Sequence, residues 1–116
     1  MTRTLPPGTV VHAADMAVEH APVTPTQTLK GAPTVGFAAL AETSGVEVGV
    51  WECTPGISTD TEVDEVFVVL SGRAHIDFVE PGLPAIDVRA GDVVRLEAGM
   101  KTVWTVTQTL RKIYIA

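Results

Sequence analysis

Within six residues the chain carries four carboxylates, Asp60, Glu62, Asp64 and Glu65. At the mouth of a pocket such a run would draw cationic or amine ligands and repel anions, whereas as a solvated loop it needs no ligand at all. Paired carboxylates can also do general acid–base work, but by themselves they do not make a glycosidase. Cys53 is the single cysteine, which rules out an internal disulfide and every cysteine-based zinc pattern. As a nucleophile it would need an activating base beside it, so a structural thiol is the plainer reading. His75 reads as a surface or satisfied strand histidine, with a ligand role as the sharper alternative. No phosphate-cradling glycine loop, serine elbow or zinc-protease signature is present.

The elements that must position these groups are strands. Residues 66–70 form an apolar run rich in Val, with Phe67 inside it, that stops at Ser71-Gly72, as a buried strand ending in a tight turn would. Residues 73–79 return with Ala74, Ile76 and Phe78 alternating against Arg73, His75 and Asp77. Upstream, residues 34–41 and 46–53 flank Glu42-Thr43-Ser44-Gly45 and read as a hairpin. In the second of these, Val46, Val48, Val50 and Glu52 alternate against Glu47, Gly49, Trp51 and Cys53, and which face looks inward stays open at this point. Downstream, Gly91-Asp92 and Ala98-Gly99 are turn signals around a short strand over 93–96. Strands over 85–89, 103–107 and 110–115 bring the expected total to eight or nine.

Residues 1–30 carry Pro6, Pro7, Pro22 and Pro25 among Thr-rich spacers and read as an extended arm. Such an arm lies along an exposed sheet edge or crosses to a neighbouring subunit. Residues 31–116 then form one barrel domain. The whole chain, 116 residues, is long enough for one domain burying roughly 65% of its unfolded surface. A net charge of −6 with eight Lys and Arg in total argues against nucleic acid, whose phosphates need a basic stripe. It argues equally against an acidic membrane surface. No apolar run approaches the ~18 residues of a spanning helix, nor is there an apolar signal core near the start. The expectation is therefore a cytoplasmic protein, and an apolar fraction of 46% leaves some surface for a homodimer contact.

The spacing of Gly56, Glu65 and Gly72, and then of Gly91 and Gly99, resembles the two sequence motifs of the cupin superfamily. WECTPG over 51–56, the GD at 91–92, the Trp of TVWTV over 102–106 and the closing RKIYI over 111–115 look more closely like the short, single-domain cupins related to (S)-ureidoglycine aminohydrolase. The resemblance covers 31–116. It implies an all-β double-stranded β-helix, the jelly-roll barrel, behind an extended N-terminal arm.

Metal-binding cupins hold their ion with a His-x-His pair and a glutamate in the first motif and a histidine in the second. Glu65 falls at the glutamate position, whereas Ser58 and Asp60 stand where the His-x-His pair would be and Thr102 stands where the last histidine would be. Zinc and the later first-row metals want imidazole or thiolate, so no conventional metal is expected. Any cofactor would be a weakly held divalent cation on Asp60, Glu65 and His75.

If Glu65 points into the barrel, its charge must be answered by a cation. Lys112, which shares a strand face with Tyr114, is the first candidate and Arg95 the second; as plain surface cations both would instead face solvent. Trp51 and Trp104 either wall a ligand pocket or fill the barrel core. The reading that follows is a barrel binding a small polar molecule with Trp51, Asp60, Glu65, His75, Arg95, Thr102, Trp104, Lys112 and Tyr114. Two alternatives stand beside it. One is a hydrolase or isomerase resembling (S)-ureidoglycine aminohydrolase, with Glu65 as general base. The other is a non-catalytic accessory or regulatory dimer whose barrel is packed shut.

Overall fold

A computed structural model describes residues 5–116. All its regular elements are strands: β1 (Ala21–Pro22), β2 (Thr28–Lys30), β3 (Thr34–Thr43), β4 (Val46–Cys53), β5 (Gly56–Thr61), β6 (Glu65–Glu80), β7 (Ile86–Arg89), β8 (Val93–Leu96) and β9 (Lys101–Ile115). Every pairing is antiparallel, and the strands join in one sheet that curls on itself as the expected jelly-roll barrel. The spine is β9. Its first half pairs with β5 and its second half with β4, while β6 follows it along its other edge.

One expected turn and one expected break between strands are absent because the strands run through them. The chain does not reverse at Ser71-Gly72, and the segments over 103–107 and 110–115 are one strand. Gly72 instead sits in a bulge of β6, where the register against β9 shifts. Its φ is +92°, and a Cβ there would collide with the carbonyl of Thr109, so a glycine is what lets β6 bend without ending. The bulge also exchanges the two faces. Phe67 and Val69 point inward before it, and Ala74 and Ile76 after it, so the inward positions change from odd to even.

The core fills the barrel with Phe67, Val69, Ile76, Leu96, Trp104 and Leu110. Phe67, Ile76, Leu96 and Leu110 are fully buried, each a contribution on the order of 1.5–3 kcal/mol.

Residues 5–30 run along the sheet, and the first four residues of the expected arm lie outside the described ones. The Leu5 amide donates to the carbonyl of Leu40 at 2.7 Å, β1 pairs with β3, and β2 pairs with β5. Over β3 the arm passes so close that a Cβ on Gly36 would collide with the carbonyl of Glu19. A polar cluster on the outer face of β4 and β9 fastens it. Arg111 donates through Nε to Glu52 at 2.8 Å and through Nη1 to the carbonyls of Ala13 and Met16 at 2.8 and 2.6 Å. His20 reaches Glu52 at 2.8 Å and Thr34 at 2.9 Å. Burial alone would raise the Glu52 pKa, but the hydrogen bonds from His20 and Arg111 more than offset it and hold the carboxyl below its usual value.

A candidate ligand cavity around a caged lysine

Strand register decides what meets inside the barrel. The β4–β9 ladder sets Trp51 opposite Lys112, and the β6–β9 ladder sets Phe67 opposite Tyr114. Period-two alternation then carries Glu65, two residues before Phe67, and Lys112, two before Tyr114, onto the same inner surface. There the Lys112 ammonium donates to Glu65 Oε2 at 2.6 Å, with the two side chains only 5% and 12% exposed. Three aromatic faces surround the ammonium, Phe67 at 4.2 Å, Trp51 at 4.5 Å and Trp104 at 5.0 Å from Nζ to ring centroid. Each distance is within cation–π range.

Beside this pair lies a second carboxylate. Glu62, in the link between β5 and β6, is 7% exposed. Its Oε2 accepts from the Thr102 hydroxyl at 2.6 Å and from the Trp104 indole N–H at 3.0 Å, and no lysine, arginine or histidine pairs with it among the described residues. Asp60 follows on β5, opposite Thr102. It is exposed to solvent and also lines the cavity described below. Burial first, and then repulsion from Glu62, push its pKa up to about 6, against the partial relief of the Thr61 amide and Lys112.

These groups line a cavity of about 290 Å³, at the small end of the range for ligand pockets. Trp51, Trp104 and Tyr114 wall it; Asp60, Glu62 and Glu65 supply its acids; Lys112 is its one cation among the described residues; and Pro22, Val23, Thr24 and Gln27 of the arm also line it. The two indoles lie 5.6 Å apart, tilted by 51°.

Other candidates from the sequence lie elsewhere or are already engaged. Arg95 is exposed on β8. Its strand turns Val94 and Leu96 to the core, so Arg95 shares the outer face with Val93. The bulge at Gly72 turns His75 outward, where it bonds Asp87 at 2.8 Å and approaches Asp77 at 3.3 Å. The hydrogen bond to Asp87 is the main reason its pKa is raised. Thr102 is buried with its hydroxyl committed to Glu62. Tyr114 walls the cavity but donates its phenol to Glu47 at 2.7 Å. Burial pushes the Cys53 thiol up to about 11, so it stays protonated and unreactive at neutral pH.

Glu62 and Phe67 were not among the sequence candidates. For Phe67 the signal was there, since it lies two residues beyond Glu65 on a strand; for Glu62 there was none beyond membership of the acidic run, because the chain leaves its strand between Thr61 and Glu65.

The sequence pattern of the EutQ-like cupin domain matches residues 40–114. The chain belongs to the EutQ-like cupin family. No curated protein matches it in sequence. Among solved structures it is similar to a protein of unknown function from Pseudomonas syringae pv. tomato, at 23% identity and a TM-score of 0.74 over 88% of this chain and 45% of that one. It is also similar to a putative ethanolamine utilization protein Q from Salmonella typhimurium, at 20% identity and a TM-score of 0.62 over 88% and 96% of the two chains. A cupin superfamily protein from Desulfitobacterium hafniense matches all of this chain and 96% of its own length, at 19% identity and a TM-score of 0.64. This chain thus spans less than half of the Pseudomonas protein, and at these identities the likeness is one of fold.

A metal of the kind many cupins hold does not fit the side chains of this EutQ-like member. The Lys112 ammonium already stands against Glu65, and a cation of the protein's own there would repel a metal ion. Ser58 brings a neutral hydroxyl, and Thr102 spends its own on Glu62. The alternative set of Asp60, Glu65 and His75 does not assemble, because His75 is on the outer face. Among the described residues no three His, Cys, Asp or Glu side chains are grouped to hold a metal ion.

Proposed function

We propose that this cupin binds a small polar molecule inside its barrel, with the Lys112–Glu65 pair in the place of a conventional metal centre. The observation that carries the reading is the cavity of about 290 Å³ ending on that buried pair between two indoles. A barrel serving only as a packed accessory would be expected to fill such a space with apolar side chains. Instead the space has aromatic walls and convergent polar groups, the usual make-up of a ligand pocket.

The test uses the chain's own reporters. Both of its tryptophans line the cavity, so a ligand that enters should change their fluorescence. Screening small polar metabolites should yield saturable quenching, and Glu65→Gln should weaken it about tenfold, the loss of roughly one charged hydrogen bond. A parallel titration with Mn²⁺, Zn²⁺ and Mg²⁺ should show no stoichiometric binding. If no compound gives a saturable change, or if zinc binds one-to-one at Glu65, the reading fails.

A second reading is enzymatic, hydrolysis of a small nitrogenous substrate by likeness to (S)-ureidoglycine aminohydrolase. Asp60 favours it, being a carboxyl on the cavity with a pKa near 6, suited to exchanging a proton near neutral pH. Glu65 suits that role less well, since its Oε2 is held by the Lys112 ammonium.

A further inference from the structure

The cavity holds more acid than it neutralises. Asp60, Glu62 and Glu65 all line it, and among the described residues Lys112 is the one lysine or arginine that does. That ammonium is already engaged by Glu65 and by three aromatic faces. Glu62 is buried, yet both hydrogen bonds it accepts end on Oε2. Its Oε1 is left without a donor among the described residues while not being sealed from solvent. That oxygen is an acceptor that a cation entering the cavity would meet. An anionic ligand would have to approach three carboxylates to reach an ammonium that is already paired with Glu65.

The same walls show how a cation is received here. Indole and phenyl faces around Lys112 already stabilise one ammonium, and the aromatic surface of Trp51 and Tyr114 remains on the cavity. We propose that the ligand is a small organic cation, whose primary ammonium or guanidinium group is received by Asp60 and Glu62 while its carbon body packs on Trp51 and Tyr114. This rests on the cavity reading above and adds the charge of the occupant.

Isothermal titration calorimetry on the full chain with four compounds of similar size tests it: propylamine, propylguanidine, propionamide and propanoate. At pH 7.5 the two cations should bind at least about tenfold tighter than the amide and the carboxylate, a discrimination of about 1.4 kcal/mol. Asp60→Asn should weaken both cations severalfold and leave propionamide unchanged. Lowering the pH from 7.5 to 5 should weaken cation binding to the unmodified chain, because Asp60 takes up its proton near 6. The groups facing Asp60 are Glu62, Glu65 and Lys112, so the Asp60→Asn variant should lose most of that pH dependence if Asp60 is its source. Glu62→Gln, accepted only if its thermal melt stays cooperative, should weaken the cations too. Equal or tighter binding of propionamide or propanoate overturns the cationic class while the cavity reading stands. Silence from all four compounds overturns this inference, and the tryptophan screen then decides the cavity reading separately.

Discussion

Strands β4 and β9 make two ion clusters from adjacent residues, one on each face of the same ladder. Trp51 and Lys112 pair inward and Glu52 and Arg111 pair outward, one register step apart. Both clusters hold a carboxylate against a cation in a poorly solvated setting, at 2.6 Å inside and 2.8 Å outside. They differ in where the remaining donors go. The Arg111 guanidinium extends its fork to two carbonyls of the arm, so the outer cluster is consumed in holding one piece of chain on another. The Lys112 ammonium is enclosed by π-faces, with open space beside it. A planar five-donor group suits a clamp on backbone carbonyls, and a compact point charge suits an aromatic cage. Chemically similar pairs thus serve a structural latch on one face and a candidate binding site on the other.

The contrast breaks most visibly at the inner pair. Lys112→Met keeps the length of the side chain but strands Glu65 in the barrel, at a cost of about 3–5 kcal/mol. Adding Glu65→Gln to it should recover most of that loss, since the uncompensated charge goes. Urea unfolding of the two variants checks this, and the comparison fails if the single variant is as stable as the parent. Arg111→Ala should cost less, about 2–3 kcal/mol, because Glu52 keeps His20 and some solvent. Its signature lies in the arm. Limited proteolysis should cut between residues 5 and 30 before the barrel unfolds, with cavity binding changed much less than in the Lys112→Met variant.

How far these sites were legible in the sequence depends on whether strand alternation runs unbroken. Along β9 it does. Thr102, Trp104, Val106, Leu110, Lys112 and Tyr114 all fall on the inner side, so pairing Lys112 with Tyr114 on one face was readable, and so was Lys112 as the answer to Glu65. Along β6 alternation changes phase at Gly72. The glycine was visible as a corner, but a turn and a bulge use the same residue, and only the long partner strand β9 decides between them. His75 stands on the outer face, as its plainer reading had it, and only its alternative role as a ligand in the barrel was misplaced. Arg95 failed for another reason: in Val93-Val94-Arg95-Leu96 both faces carry an apolar residue, and the hydrogen-bonded partner, Glu65 opposite Leu96, is what fixes the inward side. The arm could be read as extended, whereas its latch joins residues more than 90 positions apart in sequence, a pairing no local pattern encodes.

The smallest effect separates the two faces by pH. Outside, Glu52 has a lowered pKa, so its contribution is present at neutral pH and disappears as acid protonates it. Inside, Asp60 has the opposite sign. Its folded pKa of about 6 lies above the ordinary value of 3.8, so the folded state binds the extra proton between those two values. Stability from this group is therefore greatest below pH 4 and declines as pH rises through 6. Asp60→Asn removes the mismatch and should stabilise the protein at pH 7.5, on the order of 1 kcal/mol once discounted for its exposure to solvent, with little effect at pH 4. Thermal melts of parent and variant at the two pH values measure the difference. Equal gains at both would mean that Asp60 carries no unfavourable charge in the cavity, and that the inner face, like the outer one, already balances its own acids.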